Sequence, residues 1–121
     1  MTAQVIPWLF TLTAYREVVG DWQAINVSTL NQRSTASGIL EIDRDGETLL
    51  DIEFTGEGPS GTIRAIGITD LENRFSLVGT FGPDDRPIGI EGTWNRSDQS
   101  LVCLFDLDDV DWTLLLRRAS R

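Results

Sequence analysis

Histidine and lysine are both missing from this 121-residue chain, and cysteine and methionine occur once each. Without histidine the commonest general base and the commonest metal ligand are gone. Without lysine there is no Schiff-base nucleophile. No cofactor is expected, and the chain reads as a protein that is not an enzyme. The single thiol, Cys103, has no internal disulfide partner, which points to a reducing, cytoplasmic setting. Positive charge is scarce: ten arginines face nineteen acidic residues, for a net charge of −9. A field of that sign repels nucleic-acid phosphates and anionic lipid, so neither nucleic acid nor a membrane is expected as a partner. Long apolar runs are also lacking. The richest stretch, residues 5–14, contains Pro7 and is too short to cross a bilayer. It has the length of a signal-peptide core, but residues 1–4 carry no basic side chain, and no cleaved signal is expected.

What remains is an ordinary globular composition, 40% hydrophobic and 24% charged, sized for one domain over residues 1–121. Turn-forming clusters recur about every ten residues, at 31–34, 43–46, 56–61, 70–73, 82–87, 95–99 and 108–109. Seven turns define eight strands. Alternation then assigns faces. "ETLLDIEF" places Leu50, Ile52 and Phe54 on one side. "NRFSLVGTF" groups Phe75, Leu77, Gly79 and Phe81, and "RPIGIEGTW" groups Ile88, Ile90, Gly92 and Trp94. "SLVCLFDL" groups Leu101, Cys103, Phe105 and Leu107, and "VDWTLLLR" groups Val110, Trp112, Leu114 and Leu116. In "GTIRAIGIT", Ile63 and Ala65 run in one phase and Ile66 and Ile68 in the other; a bulge near Ala65 would reconcile them. Short turns favour hairpins, and closure removes sheet edges. The expected fold is all-β: an eight-stranded antiparallel up-and-down β-barrel over residues 20–118. Residues 1–19 form an N-terminal arm. Trp8, Leu12, Tyr15 and Val19 share one helical face, while Phe10 and Leu12 also alternate as in a ninth strand; both readings stand.

The stretch "GDWQAINVSTL" resembles the first strand of the avidin family, with Gly20, Trp22, Ser28 and Thr29 in register, and "DWTLLL" is similar to that family's Trp-Leu-Leu strand. Gly-x-Trp is shared by the wider lipocalin-like (calycin-type) barrels. The resemblance implies a barrel that holds a ligand, with Trp22 and Ser28 among the contacts. It does not extend to biotin. The family's Asn falls on Ala24, its third-strand Tyr has no counterpart, and its late Asp falls on Ser120. A urea-like group needs several fixed donors and acceptors.

The other candidate contacts for an apolar small molecule are the inward aromatics Phe54, Phe75, Phe81, Trp94 and Trp112, with Phe105 beside them. The same rings could equally fill a solid eight-stranded barrel; Gly79 and Gly92 argue for space inside it. The carboxylates at 106–111 and the "DRDGE" at 43–47 read as turn chemistry in preference to calcium ligation, and "RRAS" as an exposed tail. Cys103 is expected inside as a small hydrophobe. On the outer phases Val78, Val102 and Leu115 suggest an apolar face for a protein partner or a homo-oligomer, rimmed by Asp106 and Asp111. Three functions are compatible with these residues: a binding barrel for a small apolar ligand, a solid interaction module such as an inhibitor or complex subunit, and a barrel isomerase built on an inward carboxylate pair.

Overall fold

The alternating strands close on themselves in sequence order. The computed structural model describes residues 16–56 and 60–119. Among them run eight strands: β1 (Gly20–Ser28), β2 (Arg33–Ile42), β3 (Glu47–Gly56), β4 (Gly61–Thr69), β5 (Phe75–Phe81), β6 (Arg86–Asn95), β7 (Ser100–Leu107) and β8 (Val110–Arg118). Each pairs antiparallel with the next, and β8 returns to β1, so the sheet closes into an up-and-down barrel. No helix occurs among the described residues. The helix or extra strand expected at Trp8, Leu12 and Tyr15 lies outside them.

Two local expectations are corrected. No bulge interrupts β4: its register runs unbroken against both β3 and β5. Ile66 and Ile68 therefore point outward while Ile63 and Ala65 point in. The irregularity lies instead in β1, between Gln23 and Asn26, where the register shifts against both neighbours. One extra residue there moves the inward phase from Trp22 and Ala24 to Val27. Val110, expected inside, is exposed: it is the first residue of β8, at the hairpin end of the barrel opposite Leu107. Ser34, placed in a turn, is instead buried within β2.

The interior is layered. Leu50, Ile52, Leu77, Ile90, Cys103 and Leu114 fill the middle, each with almost no exposed surface. The end that carries the turns after β2, β4 and β6 is closed by residues 16–19. Val18 is wholly buried there, and its carbonyl accepts a hydrogen bond from Trp22 Nε1 at 2.9 Å. Arg118 lies over the Trp22 ring, 4.3 Å from its centroid, and donates to the carbonyls of Val19 and Glu17. Arg16 donates to the carbonyls of Thr69 and Arg44, and Glu17 pairs with Arg96. One short strap thus ties β1, β8 and three turns together.

The glycines expected to leave space are occupied differently. A Cβ on Gly92 would fall 2.1 Å from the Phe75 ring, so that ring fills the gap. A Cβ on Gly79 would meet the Arg64 carbonyl oxygen at 2.0 Å and Ala65 Cα at 2.5 Å. Backbone cannot yield as a side chain can, and overpacking of this kind costs about 1–3 kcal/mol. Gly89, on the outer phase of β6, has nothing within 4 Å of the same atom. Gly79→Ala is therefore expected to lower the urea unfolding midpoint clearly, whereas Gly89→Ala leaves it unchanged or slightly raised. Equal midpoints for the two variants would contradict this packing.

Candidate functional site

The inward aromatics do not form one site. Trp22, Phe75 and Trp94 lie at the strapped end, and Phe54, Phe81, Phe105 and Trp112 at the other, with the aliphatic middle layer between them. At the second end Phe54 stacks on Phe81 with centroids 5.9 Å apart, and Phe105 stacks on Trp112 at 6.4 Å. Phe54 and Trp112 join the two pairs at 6.3 Å. Phe54 is wholly buried and Trp112 nearly so. Nε1 of Trp112 is buried without a hydrogen-bond partner, as is Nε1 of Trp94. Ser28 is not with this set. Past the β1 bulge it pairs with Thr113 on the outer phase and lines a surface groove with Leu30 and Asp109.

Ten apolar strand side chains, among them Trp22, Leu40, Leu50, Phe54, Ile63 and Leu114, are 0% exposed. Side chains close around them on every side, which is the packing of a filled barrel. No Asp or Glu is buried among the described residues, so the carboxylate pair an isomerase would need is not found inside.

Of the nine exposed large apolar residues among those described, five, Leu49, Ile66, Ile68, Val78 and Leu104, lie on the outer wall of β3 to β7, while Leu30, Ile39, Leu71 and Val110 lie apart from it. Leu49 of β3, Ile66 of β4 and Val78 of β5 are direct cross-strand neighbours in one row, 48%, 60% and 69% exposed. Glu41 bounds the row on β2, and Gly89 continues it on β6. A second row runs Glu47, Ile68, Ser76, Glu91 and Leu104 across five strands, β3 to β7. Two shallow grooves flank Val78. One, of about 640 Å³, is lined by Leu49, Ile66 and Ile68 with Glu41, Asp43 and Glu47. The other, of about 550 Å³, is lined by Gly89 and Leu104 with Glu91, Asp106 and Asp111. No arginine lines either groove.

Of the residues expected on an apolar outer face, Val78 belongs to this wall. Val102 and Leu115 are cross-strand partners, as expected, but are only half-buried and lie on β7 and β8, away from it. Leu49, Ile66, Ile68 and Leu104 join the wall without having been expected there. Their signal is present in the outward phases of "TLLD", "IGI" and "CLF", and assigning Ile66 and Ile68 to a bulge conceals it.

The acidic turns are held by local bonds. Asp43 Oδ1 accepts the backbone N–H of Asp45 and of Glu47 at 2.9 and 3.0 Å. Asp108 and Asp109 both have positive φ, as a two-residue hairpin turn of this type requires. Asp108 pairs with Arg86 at 2.6 Å, and this hydrogen bond, reinforced by charge, raises the guanidinium's pKa. Among the described residues no three acidic or thiol groups gather so as to hold a metal ion. Nor is any helix among them long and apolar enough to cross a membrane. No protein-family model matches the chain, and no curated protein matches it.

Cys103 is fully buried, and desolvation pushes its pKa up. The unfolded thiol ionises near 8.5. Above that pH the unfolded state sheds a proton that the folded state keeps, so folding stability falls as pH rises, by up to about 1.4 kcal/mol per pH unit. Denaturant melts between pH 8.5 and 10 are expected to show this decline in the wild type and to lose that component in Cys103→Ala. A decline of the same slope in both proteins would place its origin elsewhere.

Proposed function

We propose that the protein is a non-enzymatic interaction module, a solid barrel that offers its outer wall to a protein partner. The observation that carries this reading is the unbroken β4 register, which turns Ile66 and Ile68 outward beside Leu49 and Val78. Contiguous exposed apolar surface on a charged protein marks contact sites. Kinship with lipocalin- and avidin-type barrels is supported by the eight-stranded topology and by Gly20-Asp21-Trp22, and it favours binding as the general role. It does not bring a ligand with it, since Ala24 and the outward Ser28 cannot supply the polar contacts. The buried, unpaired thiol accords with a cytoplasmic setting.

A small apolar ligand held inside the barrel has less support, because it would have to displace side chains that already fill the space. One observation favours a ligand at the open aromatic end: the partnerless Nε1 of Trp112, a buried donor that costs free energy while unmatched. A neutral solvatochromic dye such as Nile red separates the two readings. Its fluorescence with the wild type is expected to fall several-fold in Ile66→Glu/Val78→Glu and to be unaffected by Trp112→Phe. Loss in Trp112→Phe alone would move the site to the aromatic end.

A further inference from the structure

The outer wall has a chemistry specific enough to describe its occupant. Taking that wall as the docking surface, on which the inference rests, we propose that it receives an amphipathic helix of a partner protein whose apolar stripe is bordered by lysine and arginine.

Charge is the first argument. The two grooves beside Val78 are lined by six carboxylates: Glu41, Asp43 and Glu47 on one side, Glu91, Asp106 and Asp111 on the other. None of the six is in an ion pair among the described residues, although five other carboxylates are. Asp106 and Asp111 stand directly opposite each other across β7 and β8, a like-charge pairing that destabilises a sheet unless a cation relieves it. A second copy of this chain would bring the same carboxylates and a further −9 of charge to the contact. A cationic partner neutralises the rims and is steered toward them.

The backbone supplies the second argument. The barrel is closed, so β3 to β7 offer no free edge, and an extended peptide laid across them would leave its own N–H and C=O groups without a ladder. A helix satisfies its backbone internally and brings only side chains to the wall. The row from Leu49 to Gly89 spans three interstrand spacings, about 14 Å. That is the length of roughly nine helical residues, enough to set apolar side chains at i, i+3 or i+4, and i+7 on it.

Shape is the third. At Gly89, beside Val78 in the groove that Leu104 also lines, the wall is bare backbone, and a Cβ built there meets nothing within 4 Å. This notch seats one large apolar side chain of the helix. Glycine at an exposed strand position otherwise weakens the strand.

The test uses the full-length protein, isotopically labelled, with two designed helical peptides of about fourteen residues. They share a leucine stripe and differ only in carrying lysine or glutamate beside it. The lysine peptide is expected to shift the amides of Leu49, Ile66, Val78 and Gly89 saturably, and to bind several-fold more weakly in physiological salt than in low salt. Ile66→Ser should weaken it about tenfold and Glu47→Gln/Glu91→Gln several-fold, while Asp84→Asn/Asp85→Asn, on the β5–β6 turn outside both grooves, should leave it unchanged. Equal binding of the glutamate peptide on this wall would overturn the cationic partner and leave the docking surface standing. Shifts by neither peptide, or shifts confined to other faces, would overturn both. Concentration-dependent broadening of the same amides without peptide would put a second copy there and overturn the proposal.

Discussion

The pairing of β1 with β8 is the constraint on which everything else depends. It turns an eight-stranded meander into a closed wall and so fixes the interior volume. The bulge of the barrel lies in β1, whose register shifts against β2 and β8 alike. The pairing also brings Arg118 of β8 over Trp22 of β1, where the guanidinium holds the carbonyls of the strap that seals one end. Once the wall is closed, an inward residue has no escape and an outward one has no shelter. The inward set is large enough to fill the space: tryptophan and phenylalanine crowd the two ends, aliphatics the middle, and rings lie over Gly61 and Gly92 where a side chain would not fit. With the interior filled, the outward apolar residues become the feature that calls for a function.

Much of this is legible in the sequence, for a physical reason. Eight short strands with one buried face leave a period-two trace, and that trace alone assigns Leu50, Ile52, Phe54, Leu77, Ile90, Cys103 and Leu114 to the interior. Bulges are not legible. One extra residue inverts every later side chain, yet nothing local distinguishes "AIN" in β1, which carries the shift, from "AIG" in β4, which does not. The resemblance that makes Ser28 a contact takes no account of the shift, and alternation makes Ile66 and Ile68 look like the product of a bulge when they are surface. Val110 is misplaced for a different reason: alternation gives the face of a residue but not its height in the barrel. Nor does alternation tell two aromatic clusters at opposite ends from one shared pocket.

The surface shows a division of labour between charges. Arginines are used in structure: Arg16 and Arg118 hold carbonyls of the strap and turns, Arg96 pairs with Glu17, and Arg86 steadies the acidic turn through Asp108. Of the carboxylates beside Leu49, Ile66, Val78 and Leu104, Asp43 holds its own turn through backbone N–H groups, and none is in an ion pair among the described residues. Exposed ion pairs contribute little to stability, so the absence of arginine from the two grooves costs the fold almost nothing; Arg64, two residues from Ile66 on the outer phase of β4, is paired with Asp51. That absence leaves an apolar row between two acidic grooves, a charge pattern that disfavours partners of the same sign.

The central claim is that the barrel is full and that binding belongs to its outside. Methyl-resolved NMR under dissolved xenon, an atom that enters dry apolar voids, tests it most directly. The account predicts no saturable shift at the inward methyls of Leu40, Leu50, Leu77 and Leu114, with any response confined to outward methyls such as Leu49, Ile66 and Val78. Saturable shifts at the inward set would reveal a hollow barrel and return the function to its interior.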